Sequence, residues 1–140
     1  MQKEIKHTWC FSQSQEEVWE YLTKPELLSQ WLMKNDFQPV VGHKFQFIGE
    51  CDDKGNTAAY CEVLEVKPYS RISYSWQTNS LYDGKPFDSI VVWTLVPKDN
   101  GTELQLVHSG FTAMEDAIAH NDGWTRIGNK MVGFLNAVKV

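Results

Sequence analysis

Residues 14–31, SQEEVWEYLTKPELLSQW, constrain this chain more than any other stretch, because one proline divides an apolar periodicity that would otherwise make a single helix. Ser14 followed three residues on by Glu17 is a capping-box pair: the hydroxyl accepts from a first-turn amide and the carboxylate reaches back to the cap. Val18, Tyr21 and Leu22 recur at i, i+3 and i+4, with Trp19 beside them. Pro25 ends this helix at about Lys24 and opens another as a favourable first-turn residue, whose own stripe is Leu27, Leu28 and Trp31. Two short amphipathic helices meeting at a corner are expected.

On either side the pattern switches to period two. Residues 4–11 put Ile5, His7, Trp9 and Phe11 on one face, against Lys6, Thr8 and Cys10. A strand over 44–51 places Phe45, Phe47 and Gly49 together, and Asp52-Asp53-Lys54-Gly55-Asn56 reads as a hairpin loop. Further strands are predicted over 58–67 and 71–78, turned by Pro68-Tyr69-Ser70, and the second alternates Ile72, Tyr74 and Trp76 with serines. After a polar loop at 80–85, residues 88–97 are almost continuously apolar, as in a central strand covered on both faces. Lys98-Asp99-Asn100-Gly101 turns the chain into a strand over 102–111, where Leu104, Leu106 and His108 alternate with Glu103, Gln105 and Val107.

Asp122 is placed to cap a last helix carrying Trp124, Ile127, Met131, Phe134, Leu135 and Val138 on one face. Gly123, Gly128 and Gly133 recur in it, each costing ~1 kcal/mol relative to alanine. They mark either a close approach to the sheet, flexibility over a cavity, or simple tolerance in a helix held by its packing. The order of strand, helix pair, five strands and long helix argues for α+β, with helices on one face of one antiparallel sheet.

Composition narrows the function classes. At 140 residues one domain is expected, able to bury about two-thirds of its unfolded surface. A net charge of −5 without any Lys/Arg run argues against nucleic acid and against an anionic membrane as partners. No apolar run approaches the ~18–20 residues of a spanning helix, and the first residues lead into a strand rather than a signal-peptide core, so a cytoplasmic location is expected. Cys10, Cys51 and Cys61 lack C-x-x-C spacing and lie on predicted strands, as reduced, largely buried thiols would. His7, His43, His108 and His120 show no H-E-x-x-H pairing; Gly42 and Gly101 belong to no phosphate loop; Asp52-Asp53 falls short of a calcium loop. No metal or cofactor is expected.

The helix pair, read as VW-x-x-L-T-x-P-E-x-L-x-x-W over Val18-Trp19, Leu22-Thr23, Pro25-Glu26, Leu28 and Trp31, resembles the homologues of the activator of the 90-kDa heat-shock protein ATPase. These belong to the START-like, or SRPBCC, superfamily that includes the birch-pollen allergen. Val41-Gly42 with Phe45, Ser75-Trp76, Gly101-Thr102-Glu103-Leu104, His108-Ser109-Gly110-Phe111 and Gly123-Trp124 follow in the family's order, so the resemblance spans essentially the whole chain. It implies a helix-grip fold: a curved six-stranded antiparallel sheet wrapped around a long C-terminal helix, with two short helices after the first strand and commonly a cavity between sheet and helix. One fold hosts many activities, so this implies fold more sharply than function.

With that geometry, His7, Trp9, Phe45, Phe47, Tyr74, Trp76, Trp93, Leu106 and His108 on the sheet would face Trp124, Ile127 and Met131 on the helix. Such an aromatic wall suits a flat, apolar ligand, and the competing expectation is that the rings fill the space themselves. A one-residue slip on the first or fifth strand would reverse these facings. His108 is the best-placed candidate for acid–base work, yet it needs a carboxylate to orient it; Glu62 and Glu65 have undetermined facing, and no other acid is predicted inside. Ser109 lacks the base that would make it a nucleophile, so no catalytic residue is assigned.

The expected function is therefore binding of a small hydrophobic ligand, aromatic, polyketide-like or lipid-like, by a monomer or a homodimer. The alternatives are a polyketide cyclase- or hydratase-like enzyme, as some superfamily relatives are, and a chaperone-contacting stress-response module. The eukaryotic activators carry a separate N-terminal chaperone-binding domain, for which these 140 residues are expected to leave no room.

Overall fold

A computed structural model describes residues 3–48 and 57–138, with side chains over 3–48 and 58–135. Gly49, Cys51, the expected hairpin loop at 52–56 and the Val138 side chain lie outside the described residues. The chain runs β1 (Lys3–Phe11), α1 (Gln15–Thr23), α2 (Pro25–Trp31), β2 (Lys34–Asn35), β3 (Lys44–Ile48), β4 (Thr57–Lys67), β5 (Arg71–Asn79), β6 (Pro86–Lys98), β7 (Gly101–Phe111) and α3 (Met114–Val138).

The helix corner forms as its residues dictate. Both halves of the Ser14/Glu17 capping box are made. Lys24 is at once the C-cap of α1 and the N-cap of α2, extended at φ −90°, ψ 120°, so the corner is one residue wide. Trp31 folds back under it, fully buried, and donates its indole N–H to the Tyr21 carbonyl at 2.9 Å.

The strands form one antiparallel sheet in the order β1-β7-β6-β5-β4-β3-β2, and with α3 against it this is the helix-grip arrangement. There are seven strands rather than six: β2 spans two residues, too few for any alternation to reveal, and pairs with Phe47 and Ile48 of β3. The inward faces of β1, β3, β5 and β7 are as expected, with Ile5, Phe11, Phe45, Phe47, Ile72, Tyr74, Trp76, Leu104, Leu106 and His108 all buried.

Strand β6 is not covered on both faces as its apolar run implied. Val91, Trp93 and Leu95 point into the core, while Ile90 is 44 % exposed and Val92, Thr94 and Val96 are only partly covered. The helices pack on one face, so the outward residues of β6 are shielded by neighbouring strands alone.

Helix α3 starts at Met114, eight residues before Asp122, which therefore lies inside it and caps nothing. Residues 113–119 are mostly good helix formers, and Glu115 and Asp116 in the first turn complement the helix dipole. Asp116 is moreover buried, accepting from the Ser80 hydroxyl at 2.5 Å and the Leu81 amide at 2.7 Å; an acid does sit inside, recruited by the 80–85 loop. The core stripe of α3 is Trp124, Met131 and Leu135 with half-buried Ile127, whereas Phe134 is 37 % exposed, one step round the helix from Leu135. Cys61 is buried and burial pushes its thiol pKa up, but Cys10 is exposed on the outward side of β1.

Gly128 explains one of the three helix glycines. A Cβ there would lie 2.3 Å from Cζ2 of Trp9, so the β1 indole sits directly on the helix backbone, whereas a Cβ at Gly123 or Gly133 would meet nothing within 4 Å. Gly128→Ala is expected to lower the unfolding free energy by about 1–3 kcal/mol through overpacking against a rigid ring. Gly133→Ala should raise it by up to about 1 kcal/mol by removing a helix glycine. Urea unfolding of the two variants beside wild type checks both signs.

Candidate functional site

The aromatic residues expected to line a cavity pack mainly on one another. Trp93, buried on β6, stands 6.2 Å from Trp9, 5.8 Å from Trp31 and 5.5 Å from Trp124 between ring centres. Its indole donates to the Tyr74 hydroxyl at 2.9 Å, and Phe45 and Phe47 close over Tyr74 at 5.3 and 6.0 Å. Burial pushes the Tyr74 pKa up, so this hydroxyl stays neutral and its acceptor capacity serves the core.

His108 is the centre of the buried polar chemistry. Its Nε2 lies 2.7 Å from the Ser89 hydroxyl, which donates its one proton to the Trp76 carbonyl at 2.9 Å. Ser89 Oγ must then accept from Nε2–H. On the other side Trp124 Nε1–H donates to Nδ1 at 2.9 Å, so Nδ1 carries no proton. The network admits one tautomer of the neutral ring and leaves neither nitrogen free. Burial, with a smaller contribution from nearby His120, lowers the His108 pKa to about 3. Among the described residues no carboxylate bonds this ring; Glu65 instead pairs with Arg71 at 2.8 Å on the sheet surface.

Gly110, at φ +107°, makes the network possible. Its backbone passes Ser89 so closely that a Cβ would lie 3.1 Å from the Ser89 Cα, and its φ is one that other residues rarely adopt. The His-Ser-Gly-Phe run thus works as a unit, bringing β7 against Ser89.

Open space lies at the edge of this core. A pocket of about 480 Å³ is lined by Leu32 and Met33 after α2, Trp76 on β5, and Ala119, His120, Gly123, Trp124, Arg126, Ile127 and Lys130 on α3. Of the twelve residues expected to face a ligand, Trp76, Trp124 and Ile127 line it. His7, Trp9, Phe45, Phe47, Tyr74, Trp93, Leu106, His108 and Met131 lie outside its lining, all but His7 and the half-buried Trp9 being buried in the core. His7 stacks on Trp9 and bonds Asn121 Oδ1 at 2.9 Å.

Ala119 and His120 of α3 lie ahead of Asp122, where the sequence pattern places the start of the helix, so no periodicity marks them. Gly123, Arg126 and Lys130 flank the apolar stripe, a position that in sequence reads as solvated surface. Burial lowers the His120 pKa, opposed by its 2.8 Å bond to the Asp116 carbonyl and by the Asp116 charge. The Trp76 indole N–H is buried without a partner among the described residues, which costs about 1–3 kcal/mol.

A wider groove of about 730 Å³ beside α1 carries Glu16, Glu20 and Asp36 against Lys24, and none of the twelve residues lines it. Among the described residues no three His, Cys, Asp or Glu stand together as a metal site would require, and no helix is long and apolar enough to cross a membrane.

Residues 12–136 match the model of the family described as Activator of Hsp90 ATPase homolog 1-like protein. The structure of MLL2253 from Mesorhizobium loti superposes with a TM-score of 0.88 at 32% identity, over 99% of this chain and 100% of that one. CalU16 from Micromonospora echinospora superposes at 0.78 with 25% identity, over 96% of this chain and 76% of that one. DynU16, a protein of the dynemicin biosynthetic locus, shares the fold at 0.76 and 19% identity, with 95% of this chain covering 47% of that one. No curated protein matches the sequence.

The lowered pKa of His108 makes stability depend on pH. Between about pH 6.5 and pH 3 the unfolded chain binds a proton at this ring and the folded chain does not, so stability falls as pH falls through that window and is level above it. A loss of about 1 kcal/mol per pH unit is expected below pH 6, read from urea midpoints. His108→Phe should flatten the slope while lowering stability at pH 8, since Trp124 and Ser89 lose a partner.

Proposed function

The chain belongs to the family of Activator of Hsp90 ATPase homolog 1-like proteins, and on that premise we propose that it binds a small hydrophobic molecule in the pocket between sheet and α3. The observation that carries this reading is the pocket itself: about 480 Å³ of space walled by Trp76, Trp124 and Ile127, within the size range of small-molecule sites. Two indoles tilted at 52° with centres 5.7 Å apart offer faces for an aromatic or lipid-like body. Phe47, Trp93 and His108 pack against these two indoles from the core side. The place of DynU16 in a biosynthetic locus supports including natural-product-like aromatics among the compounds tried.

A cyclase- or hydratase-like activity would need a titratable group at the pocket wall, and there His120 rather than His108 is in position. His108 has both nitrogens committed, so binding is the reading its environment favours.

The test uses the open space at Gly123, where a side chain would meet nothing within 4 Å. Gly123→Leu should fold at least as stably as wild type and fill the pocket. An amide NMR titration with flavonoids, polyketide-like aromatics and fatty acids is expected to shift Trp76, His120 and Trp124 in wild type, with affinity at least about tenfold weaker in Gly123→Leu. Shifts appearing only on addition of a 90-kDa heat-shock chaperone would replace this reading with the interaction module.

A further inference from the structure

Resting on the reading that this pocket binds a small molecule, we propose that its ligand is an organic anion, with an apolar body against Trp76, Trp124 and Ile127 and a negatively charged head held by Arg126 and Lys130.

Three observations carry this. The pocket lining contains two permanent cations and no carboxylate, in a chain whose 18 acidic residues outnumber its 13 Lys and Arg. Arg126 and Lys130 stand one turn apart on α3, where like charges repel. Neither takes part in an ion pair among the described residues, although Asp122 lies one turn before Arg126. A carboxylate or sulfonate between them would relieve the repulsion, and the guanidinium fork matches the paired oxygens of such a head. The third observation is the buried Trp76 indole N–H, a donor without an acceptor among the described residues, in a residue of the same wall. A ligand oxygen that reached this N–H would supply the acceptor that the described residues lack.

The experiment compares two fluorescent probes differing by one charged group, 8-anilinonaphthalene-1-sulfonate and the uncharged N-phenyl-1-naphthylamine. Each is titrated into wild type, Arg126→Gln/Lys130→Gln, Gly123→Leu, and a Lys3→Gln/Lys44→Gln control that removes two charges outside the pocket. Wild type and the control are expected to bind the sulfonate about tenfold more tightly than the amine at low salt, the gap narrowing as salt screens it. Arg126→Gln/Lys130→Gln should bind both alike, and Gly123→Leu should bind neither.

Equal affinities in wild type, or a sulfonate preference that survives Arg126→Gln/Lys130→Gln, overturns the anion assignment and leaves pocket binding standing. A preference lost equally in the control traces to net charge and also overturns it. Failure of wild type to bind either probe overturns the binding reading itself. Displacement of the sulfonate by 2-naphthoate or by laurate supports the assignment and separates an aromatic from a lipid-like body; displacement by neither overturns it.

Discussion

Trp124, His108, Ser89 and the Trp76 carbonyl form a chain of hydrogen bonds that runs in one direction, each donor passing its proton toward the next acceptor. That chain crosses from α3 to β7, β6 and β5, fastening the long helix to three adjacent strands. Because the groups are buried, each bond is strong and each unmade bond would be expensive, so the helix has one register against the sheet. Burial holds His108 neutral, and the same bonds occupy both its nitrogens. A residue that looks like a general base in the sequence is thereby a joint in the scaffold.

The position of the pocket follows from how the rings fill the core. Trp93 lies against Trp9, Trp31 and Trp124, and Tyr74 is enclosed by Phe37, Phe45 and Phe47, so the centre between sheet and helix is packed. Space remains where α3 lacks a side chain at Gly123 and where the chain leaves α2 at Leu32 and Met33. Displacing the site from the centre to this edge brings the flank of α3 into its wall. The pocket therefore combines the apolar stripe of the helix with Arg126 and Lys130, charges a central cavity would not have met.

The helix corner, the inward faces of four strands and the core stripe of α3 were legible because each rests on local periodicity or on one proline. Other features depended on distant partners. Asp116 is buried because the 80–85 loop needs acceptors for Ser80 and Leu81, which nothing in residues 113–119 announces. Ser89 entered no reading of the sequence, since a serine beside an apolar run looks like a strand end until His108 is set opposite it. Strand β6 appeared doubly covered because apolar content reveals tolerance of burial, not the presence of a second layer.

The sequence by itself determined the helix corner, the five longer strands after it and the existence of the last helix, since helix and strand periods are properties of consecutive residues. It also narrowed the fold, because six short motifs in order leave few alternatives. Only the tertiary structure decided which inward rings fill space and which border it. Trp76, Tyr74 and Ile72 alternate identically on β5, yet Trp76 alone of the three reaches the pocket. The difference lies in the summed volumes of side chains brought together from β1, β6, α2 and α3, a quantity that no run of neighbouring residues contains.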